Sequence, residues 1–316
     1  MSLASTLMTD ANYSQPPAIS VIVPTHNRLG SLRRTINSLL RQDLEPSVYE
    51  VIVVDDGSAD GTGGYLHELS QKSNVRFTTI KHAGPAVARN RGAGLARGEI
   101  LVFTDHDCVA PTTWLRKIER ALRSHPVAAV GGGVRNQLQA NLFSVVYDET
   151  NRFISARLER EEGKAWFRPT CNFACWTSVF RSHGGFDERF FLGSDDREFI
   201  ARLINAGEAV LHAPDIIVDH YHQFSLLSFL LHFFRLGRGS YLLHRVVAKE
   251  KGLSVKHLSA VEYLGLVWKV GRGHDFLESQ KRTALVFASQ ASALAGYCTA
   301  LVQRATNLRK ATAVQA

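Results

Sequence analysis

Residues 98–107 read GEILVFTDHD, a sequence in which an apolar run leads directly into three polar side chains. The run, at 99–104, predicts a strand buried on both faces of a sheet, and Asp105-His106-Asp107 follow where that strand ends. The same arrangement occurs earlier, in residues 18–28 (AISVIVPTHNR) and 51–61 (VIVVDDGSADG). Polar clusters at the ends of several buried strands are typical of a parallel sheet that binds its ligand at the carboxyl edge.

Helical patterns lie between these strands and complete the prediction of an α/β fold. Ser31 has the position of an N-cap, and Gly84-Pro85 begins an Ala- and Arg-rich helix that reaches Arg97. This alternation implies right-handed crossovers and a mostly parallel, Rossmann-like sheet flanked by helices. Further predictions are short strands at 75–80, 127–131, 173–176, 210–213 and 216–220, a helix at 195–206, and a polar stretch without an assigned element at 137–170.

Composition excludes several classes of protein. The chain has 316 residues, of which 45% are hydrophobic and 21% charged, which is the usual mixture of a globular protein with one large or two modest domains. A wholly disordered chain and a collagen-like repeat are therefore excluded. The four cysteines include no CxxC pair, which argues against structural zinc or a disulfide scaffold and favours a reducing, cytoplasmic compartment.

The net charge of +8 is concentrated at the C-terminal end. Residues 226–316 contain 13 Lys and Arg against 4 Asp and Glu, whereas residues 1–225 are nearly neutral. Residues 283–302 contain no charged side chain, and 20 residues are long enough to span a bilayer. Alternatively, residues 283–302 form a helix that is buried against the rest of the C-terminal region instead of crossing a membrane. We expect a flexible leader at 1–17 without a signal peptide, and a basic, apolar, helical, membrane-associating region at 226–316.

The acidic clusters suggest a site for a phosphorylated ligand. Asp105 and Asp107 offer hard oxygen ligands that suit Mg²⁺ or Mn²⁺, although solvated turn aspartates are common. Of Asp55 and Asp56, one could accept a hydrogen bond from a nucleobase or ribose, whereas the other could form an Asx turn. Arg89 lies near the start of its predicted helix, where it could meet a pyrophosphate, or it could be ordinary surface charge.

Four segments together resemble the successive motifs of family 2 glycosyltransferases: 18–28, 51–61, 84–92 (GPAVARNRG) and 98–107. Two downstream segments, 184–188 (GGFDE) and 194–199 (SDDREF), resemble the acceptor-side elements of that family. The resemblance covers roughly residues 18–222. It implies the GT-A fold for residues 18–225, and an enzyme that transfers a sugar from a nucleotide-activated donor with inversion.

The resemblance also implies roles for individual residues, position by position. Asp196 would be the general base, beside Asp195, where the family usually has Glu. Asp107, Asp105 and His220 would hold a divalent metal, Mn²⁺ or Mg²⁺, with His222 as a weaker candidate. Trp176 could stack on the acceptor sugar or pack in the core. The donor nucleotide would be bound by Pro24, Thr25, His26, Asp56, Arg89 and Asp105.

The resemblance further implies a metal-dependent enzyme that uses a nucleoside diphosphate sugar, with UDP expected because a UDP-sugar is the commonest donor of that family. The expected acceptor is a hydroxyl of a glycan or a lipid-linked saccharide, because the C-terminal region points to the inner face of a membrane. Binding of nucleic acid is not expected, since the body of the chain is nearly neutral. The sequence leaves the oligomeric state, the donor sugar and the identity of the acceptor open.

Two alternatives belong to other classes. Residues 101–109 (LVFTDHDCV) fit the nucleophile motif of haloacid dehalogenase-type phosphatases, but that motif normally opens its domain, whereas two strand–helix units precede it here. The basic C-terminal region could instead make the protein a module that binds nucleic acid or lipid. A dinucleotide-dependent dehydrogenase is excluded because no GxGxxG follows the first strand.

Overall fold

A computed structural model describes residues 16–158, 169–246 and 260–315, with side chains up to residue 304. One sheet of eight strands forms its centre, in the order β3-β2-β1-β4-β7-β6-β8-β5. Most of the predicted leader, at residues 1–15, lies outside the described residues. The strands are β1 (Ile19–Thr25), β2 (Tyr49–Asp55), β3 (Val75–Thr79), β4 (Ile100–Phe103), β5 (Cys108–Val109), β6 (Ala129–Asn136), β7 (Phe173–Trp176) and β8 (Val210–His220).

Six of the eight strands run in the same direction, which confirms the prediction of a mostly parallel sheet. β7 runs antiparallel to both of its neighbours, β4 and β6, and the short β5 runs antiparallel to β8. The two strands predicted at 210–213 and 216–220 are one strand, β8. Its pairing with β6 shifts register between Gly132 and Gly133, so a local irregularity replaces the predicted break.

Helices cover both faces of the sheet. The apolar side chains of β1 alternate between the two sides: Val21 and Val23 belong to one core cluster, whereas Ile22 belongs to the other. This burial on both faces explains the continuous apolar runs in the sequence. The helices are α1 (Leu29–Leu39), α2 (Thr62–Ser70), α3 (Pro85–Leu95), α4 (Trp114–Ser124), α5 (Leu142–Leu158), α6 (Thr177–Ser182), α7 (Asp195–Asn205), α8 (Leu226–Leu243), α9 (Ala260–Gly271) and α10 (Phe276–Gln315).

Two predictions of local structure were wrong. The first helix begins at Leu29 rather than after Ser31, because the carboxylate of Asp60 accepts a hydrogen bond from the Leu29 backbone N–H at 2.9 Å. A side chain from the neighbouring loop thus replaces the expected local cap. The stretch at 137–170 contains α5, whose buried Val146 and Phe153 pack with residues of the C-terminal helices.

The C-terminal helices α8 and α10 cross in close contact. A Cβ added at Gly237 would overlap the backbone of Ala293, and one added at Gly296 would overlap the backbone of Phe234. The Ser292 hydroxyl donates to the Leu230 carbonyl at 2.7 Å across the same crossing. Small residues therefore let the two backbones meet directly, as they do where helices pack through glycine.

These helices also carry almost all of the exposed apolar surface. Apart from Phe191, every exposed large apolar side chain among the described residues belongs to α8, α9 or α10. Within the same residues, one helical segment, Phe276–Arg304 of α10, is long and apolar enough to cross a membrane. Most of that segment is not buried inside the protein.

Candidate active site

The carboxyl ends of β1 and β2 bring His26 and Asp56 together, as the strand order predicts. The Asp56 backbone N–H donates to the Thr25 carbonyl at 2.8 Å, and His26 Nδ1 lies 2.7 Å from the Asp56 carbonyl oxygen. The neighbouring Asp55 accepts from the Ser58 backbone N–H at 2.9 Å, which is the Asx turn expected of it. Asp56 is thus the member of the pair that faces the site.

The Asp56 carboxylate is held by the segment that leads into α3. It accepts hydrogen bonds from the backbone N–H groups of Ala83 and Gly84, at 2.7 and 2.9 Å, and lies 2.8 Å from His82 Nδ1. The His82 ring also stacks on the His26 ring, with centroids 4.1 Å apart. His26, Asp56 and His82 are close enough to share a metal. The three contacts leave the Asp56 carboxylate with about one of its four acceptor positions free.

A buried guanidinium connects the loop after β4 to α7. Arg89, in α3, donates to Asp105 Oδ1 and to Asp195 Oδ2, both at 2.7 Å. Burial opposes the charge of Arg89, but Asp105 and Asp195 raise its pKa and keep it ionised. Arg89 is therefore not the surface charge considered as an alternative, and two carboxylates that are 90 residues apart in the chain lie on either side of it.

Asp196 follows Asp195 in the first turn of α7. Burial, and then the negative charge of Asp195, raise the pKa of Asp196 from the usual 3.8 to about 6. The helix begins after Ser194, which has a φ of 74°, and this turn of the backbone presents the two acids together. A carboxylate with a pKa near 6 can accept a proton at neutral pH and is more basic than an exposed aspartate.

Asp107 belongs to a second group, with two histidines that follow β8. Its carboxylate oxygens lie 3.3 Å from His220 Nε2 and 3.6 Å from His222 Nδ1. Burial would lower the pKa of His220, but the charge of Asp107 raises it to about 9, whereas burial lowers the pKa of His222 to about 4. Burial would raise the pKa of Asp107, but the charge of His220 and its hydrogen bond hold the pKa of Asp107 well below the usual range, so this carboxylate stays ionised.

This group has the chemistry of a metal site. One ligand atom from each of Asp107, His220 and His222 lies within 4.8 Å of the other two. A carboxylate with two imidazoles fits a transition ion such as Mn²⁺ better than Mg²⁺, which prefers oxygen ligands alone. Asp105 is turned toward Arg89 and is not part of this group, so its role as a metal ligand stays a prediction.

Other predicted residues lie further from the centre. Pro24 and Thr25 are buried within β1, paired with Val54 and Asp55, so His26 is the member of this segment that reaches the surface of the site. Trp176 pairs with Ile100 at the start of β4, which is the edge of the sheet opposite to Asp105. Its indole N–H donates to the Val127 carbonyl at 3.0 Å, so Trp176 packs in the core rather than facing an acceptor.

Three neighbours of the site were not singled out from the sequence. His82 holds Asp56, and the Phe191 ring lies 5.3 Å from the His82 ring. Burial is the main cause that raises the pKa of Tyr147, and the charges of Asp107 and Asp196 both contribute. Asp107 and Asp196 are therefore both close enough to Tyr147 to affect its pKa. The only sequence signal for His82 was its place at the end of a strand, before Gly84-Pro85.

The sequence model of glycosyl transferase family 2 matches residues 20–187, which is more than half of the chain. Among curated proteins, glycosyltransferase AglE of Haloferax volcanii is 28% identical over 225 residues, which are 71% of this chain and 73% of AglE. These matches do not favour the phosphatase alternative.

Solved structures show the same fold at low sequence identity. The mannosyltransferase PcManGT of Pyrobaculum calidifontis, in complex with GDP-mannose and Mn²⁺, aligns with a TM-score of 0.59 at 20% identity, over 98% of this chain and 84% of its own. Residues 1–349 of TarS from Staphylococcus aureus, in complex with UDP-GlcNAc, align with a TM-score of 0.54 at 16% identity, over 92% of each chain. With the GT-A architecture and the family match together, the chain belongs to glycosyl transferase family 2 and is a glycosyltransferase.

Proposed function

We propose that the enzyme moves a sugar from a nucleoside diphosphate donor to a hydroxyl group of a glycan or lipid-linked acceptor, with inversion at the anomeric carbon. The observation that carries this proposal is the position and the raised pKa of Asp196. A partly desolvated carboxylate, connected through Asp195 and Arg89 to the donor-side Asp105, has the properties of a general base. Asp195 would position Arg89 and keep the pKa of Asp196 high.

In this mechanism Asp196 takes the proton from the acceptor hydroxyl as its oxygen attacks the anomeric carbon. The nucleoside diphosphate leaves from the opposite face, so the configuration inverts. Base assistance of this kind contributes about 10²–10⁴-fold to the rate. Arg89 stays ionised between two aspartates, and this fixed positive charge limits the repulsion between the acidic loop and the diphosphate.

We infer that Asp107, His220 and His222 hold a divalent cation, with Mn²⁺ favoured by the mixed oxygen and nitrogen donors. When bound, such an ion neutralises negative charge on the diphosphate. His222 stays neutral at physiological pH, so its ring nitrogen is available as a ligand, whereas His220 has a raised pKa and must lose its ring proton when it binds the ion. The Mn²⁺ in the PcManGT complex supports a metal of this kind.

His26, Asp56 and His82 are our candidates for the nucleobase site. The two stacked imidazoles offer a flat surface for a base, and Asp56 offers an acceptor for an N–H group. We propose UDP as the nucleotide. The TarS complex with UDP-GlcNAc supports this choice, whereas PcManGT is solved with GDP-mannose. Pro24 and Thr25 would support this site from within β1 rather than contact the donor.

We further propose that residues 226–316 place the enzyme on the inner face of a membrane. The exposed apolar side chains of α8, α9 and α10, together with the basic charge of this region, are suited to an anionic lipid surface. The close crossing of α8 and α10 favours a surface helix over a spanning one, since an α10 inserted across the bilayer would lose that packing.

A thermal-shift panel of nucleoside diphosphates, with and without Mn²⁺, tests the donor and the metal together. We expect UDP to raise the Tm, and Mn²⁺ to increase that shift. The variant Asp107→Ala should lose the Mn²⁺-dependent part, whereas Asp196→Asn should keep it and lose sugar transfer. Ordinary turnover by Asp196→Asn, or a panel in which no nucleotide changes the Tm, would refute the proposed function.

A further inference from the structure

We propose that a basic cavity beside the active site binds the phosphate groups of a lipid-linked acceptor. The cavity has a volume of about 680 Å³ and lies between the loop at 189–193 on one side and α8 and α10 on the other. This inference rests on the proposed function, because it names the class of acceptor and the place where its charged group is held.

The charge of the cavity fits a phosphate ligand. Arg189 is already paired with Asp187 at 2.7 Å. Among the described residues, Arg238 has only the neutral Gln303 as a partner, at 3.1 Å, and its buried Nε has no hydrogen-bond acceptor. Neither Arg238 nor Arg304 has a carboxylate partner among the residues that the structure describes. The arginines that line the cavity are Arg189, Arg238, Arg245 and Arg304, and the described lining includes no acidic residue.

Guanidinium groups bind phosphate oxygens through paired, charge-assisted hydrogen bonds. Arg238 and Arg304 line the same cavity without a carboxylate partner among the described residues. Two such guanidinium groups suit a ligand that carries two negative charges. The volume exceeds the needs of a single phosphate and lies within the range of about 300–1,000 Å³ that is usual for ligand pockets. A diphosphate with part of the attached sugar or chain fits this space.

The position of the cavity assigns it to the acceptor rather than to the donor. On one side of the loop at 189–193, the Phe191 ring contacts His82 of the proposed nucleobase site. On the other side, Gly193 lies so close to Gly239 of α8 that a Cβ at Gly239 would stand 2.7 Å from its carbonyl oxygen. The loop therefore lies between the cavity and His82, because Phe191 lines the cavity and also contacts His82. It continues directly into α7, which carries the proposed general base Asp196.

An apolar stripe on α10 leads to the cavity. Phe287, Leu294 and Leu301 repeat every seven residues, which places them on one face of the helix, and they are 57%, 63% and 51% exposed. Leu301 lies next to Ala300 and one turn from Arg304, both of which line the cavity. A hydrocarbon chain along this stripe would bring its phosphate end to the arginines.

Vesicle flotation with the full chain tests the proposal. Phosphatidylcholine vesicles would carry either a polyprenyl diphosphate or phosphatidylglycerol, matched in total lipid charge, with inorganic pyrophosphate as a soluble competitor. The double variant Arg238→Gln/Arg304→Gln removes the two unpaired charges. Arg304→Gln alone is made as well, and it serves if the double variant does not fold. Arg120→Gln, on the exposed side of α4, removes one charge and is the matched control for that single variant.

We expect the unaltered protein to bind the diphosphate vesicles at least about tenfold more tightly than the phosphatidylglycerol vesicles, and the double variant to lose that difference. Arg120→Gln should keep it. Equal binding to the two vesicles, or unchanged binding by the arginine variants, would overturn the proposal. Pyrophosphate that displaces the protein from the diphosphate vesicles at a concentration equal to that of the lipid would show a site for free diphosphate, and would overturn the lipid-linked ligand. The nucleotide-dependent Tm shift is measured in parallel. Its retention alongside failed lipid binding refutes this cavity alone, whereas its absence refutes the proposed function.

Discussion

Replacing Asp196 by Asn is expected to stabilise the folded protein while it removes the activity. The pKa of Asp196 is about 6 in the folded state, against a usual value of 3.8, because of burial and the charge of Asp195. Each unit of pKa difference corresponds to about 1.4 kcal/mol, so the ionised carboxylate destabilises the fold by up to about 3 kcal/mol. An amide of the same shape avoids this cost.

The gain in stability should depend on pH in a defined way. Below pH 3.8 the carboxyl group is protonated in both the folded and the unfolded state, and the wild-type protein pays no penalty. Between pH 3.8 and pH 6 the carboxyl group is ionised mainly in the unfolded state, and above pH 6 it is ionised in both states. The loss of folding free energy that is due to Asp196 therefore grows up to about pH 6 and then levels off. The advantage of Asp196→Asn is therefore about 1 kcal/mol at pH 4.5 and about 3 kcal/mol at pH 7.5.

Urea denaturation at a series of pH values from 4.5 to 8 measures this difference directly. The exposed Asp215 provides the control, because its side chain stays in water in the folded protein and Asp215→Asn should change the free energy of unfolding little. In the same buffers, kcat/KM of the wild-type enzyme should fall about tenfold per pH unit below 6 as the base becomes protonated. If the advantage of Asp196→Asn were equal at pH 4.5 and 7.5, Asp196 would not be a desolvated carboxylate, and the argument for its role as the base would fail.

Three other variants test separate parts of the structure. Arg89→Met leaves Asp105 and Asp195 without their shared partner and should lower the free energy of unfolding, measured with urea, by about 3–5 kcal/mol. Arg91 is exposed on the same helix, and Arg91→Met should lower it little. Equal stability of the two variants would contradict the ion-pair network. His220→Gln should reduce the Mn²⁺-dependent part of the nucleotide Tm shift and leave the metal-free part unchanged, so an unaltered Mn²⁺ response would remove His220 from the metal site. Gly237→Ala forces α8 away from α10 and should destabilise the fold by about 1–3 kcal/mol, measured as a lower Tm. A Cβ at Gly64 points into open space, so Gly64→Ala should not lower the Tm. An unchanged Tm of Gly237→Ala would show that the helices do not cross as closely as described.

The sheet and its carboxyl edge were predictable from the sequence, because strands buried on both faces have continuous apolar runs. Residues 18–28, 51–61 and 98–107 each contain such a run followed by polar groups, and the structure brings their polar ends to one edge. Helix α5 was not predictable in the same way. Its stability comes from packing against distant helices, and its own sequence mixes polar and apolar residues without a clear stripe.

The pairing of the site residues could not be predicted from spacing. Asp105 and Asp107 are two residues apart, yet one pairs with Arg89 and the other lies beside His220 and His222. Which carboxylate faces which partner depends on the turn between β4 and β5 and on the path of β8, and neither is encoded locally. The contact of His82 with Asp56 was missed for the same reason, since it joins the ends of two separate strands.

The contact between Gly193 and Gly239 bears on where this protein can be divided. The family motifs end before residue 225, which suggests a catalytic unit that could stand without its C-terminal helices. However, α8 supports the loop that precedes Asp195, and Leu243 at its end packs with Phe190 and Ala201. In a chain shortened at residue 225, that loop would lose its packing against α8 and would be exposed to water. The C-terminal helices therefore also support the segment that carries Asp195 and Asp196, and we expect a chain cut at residue 225 to lose its activity together with these helices.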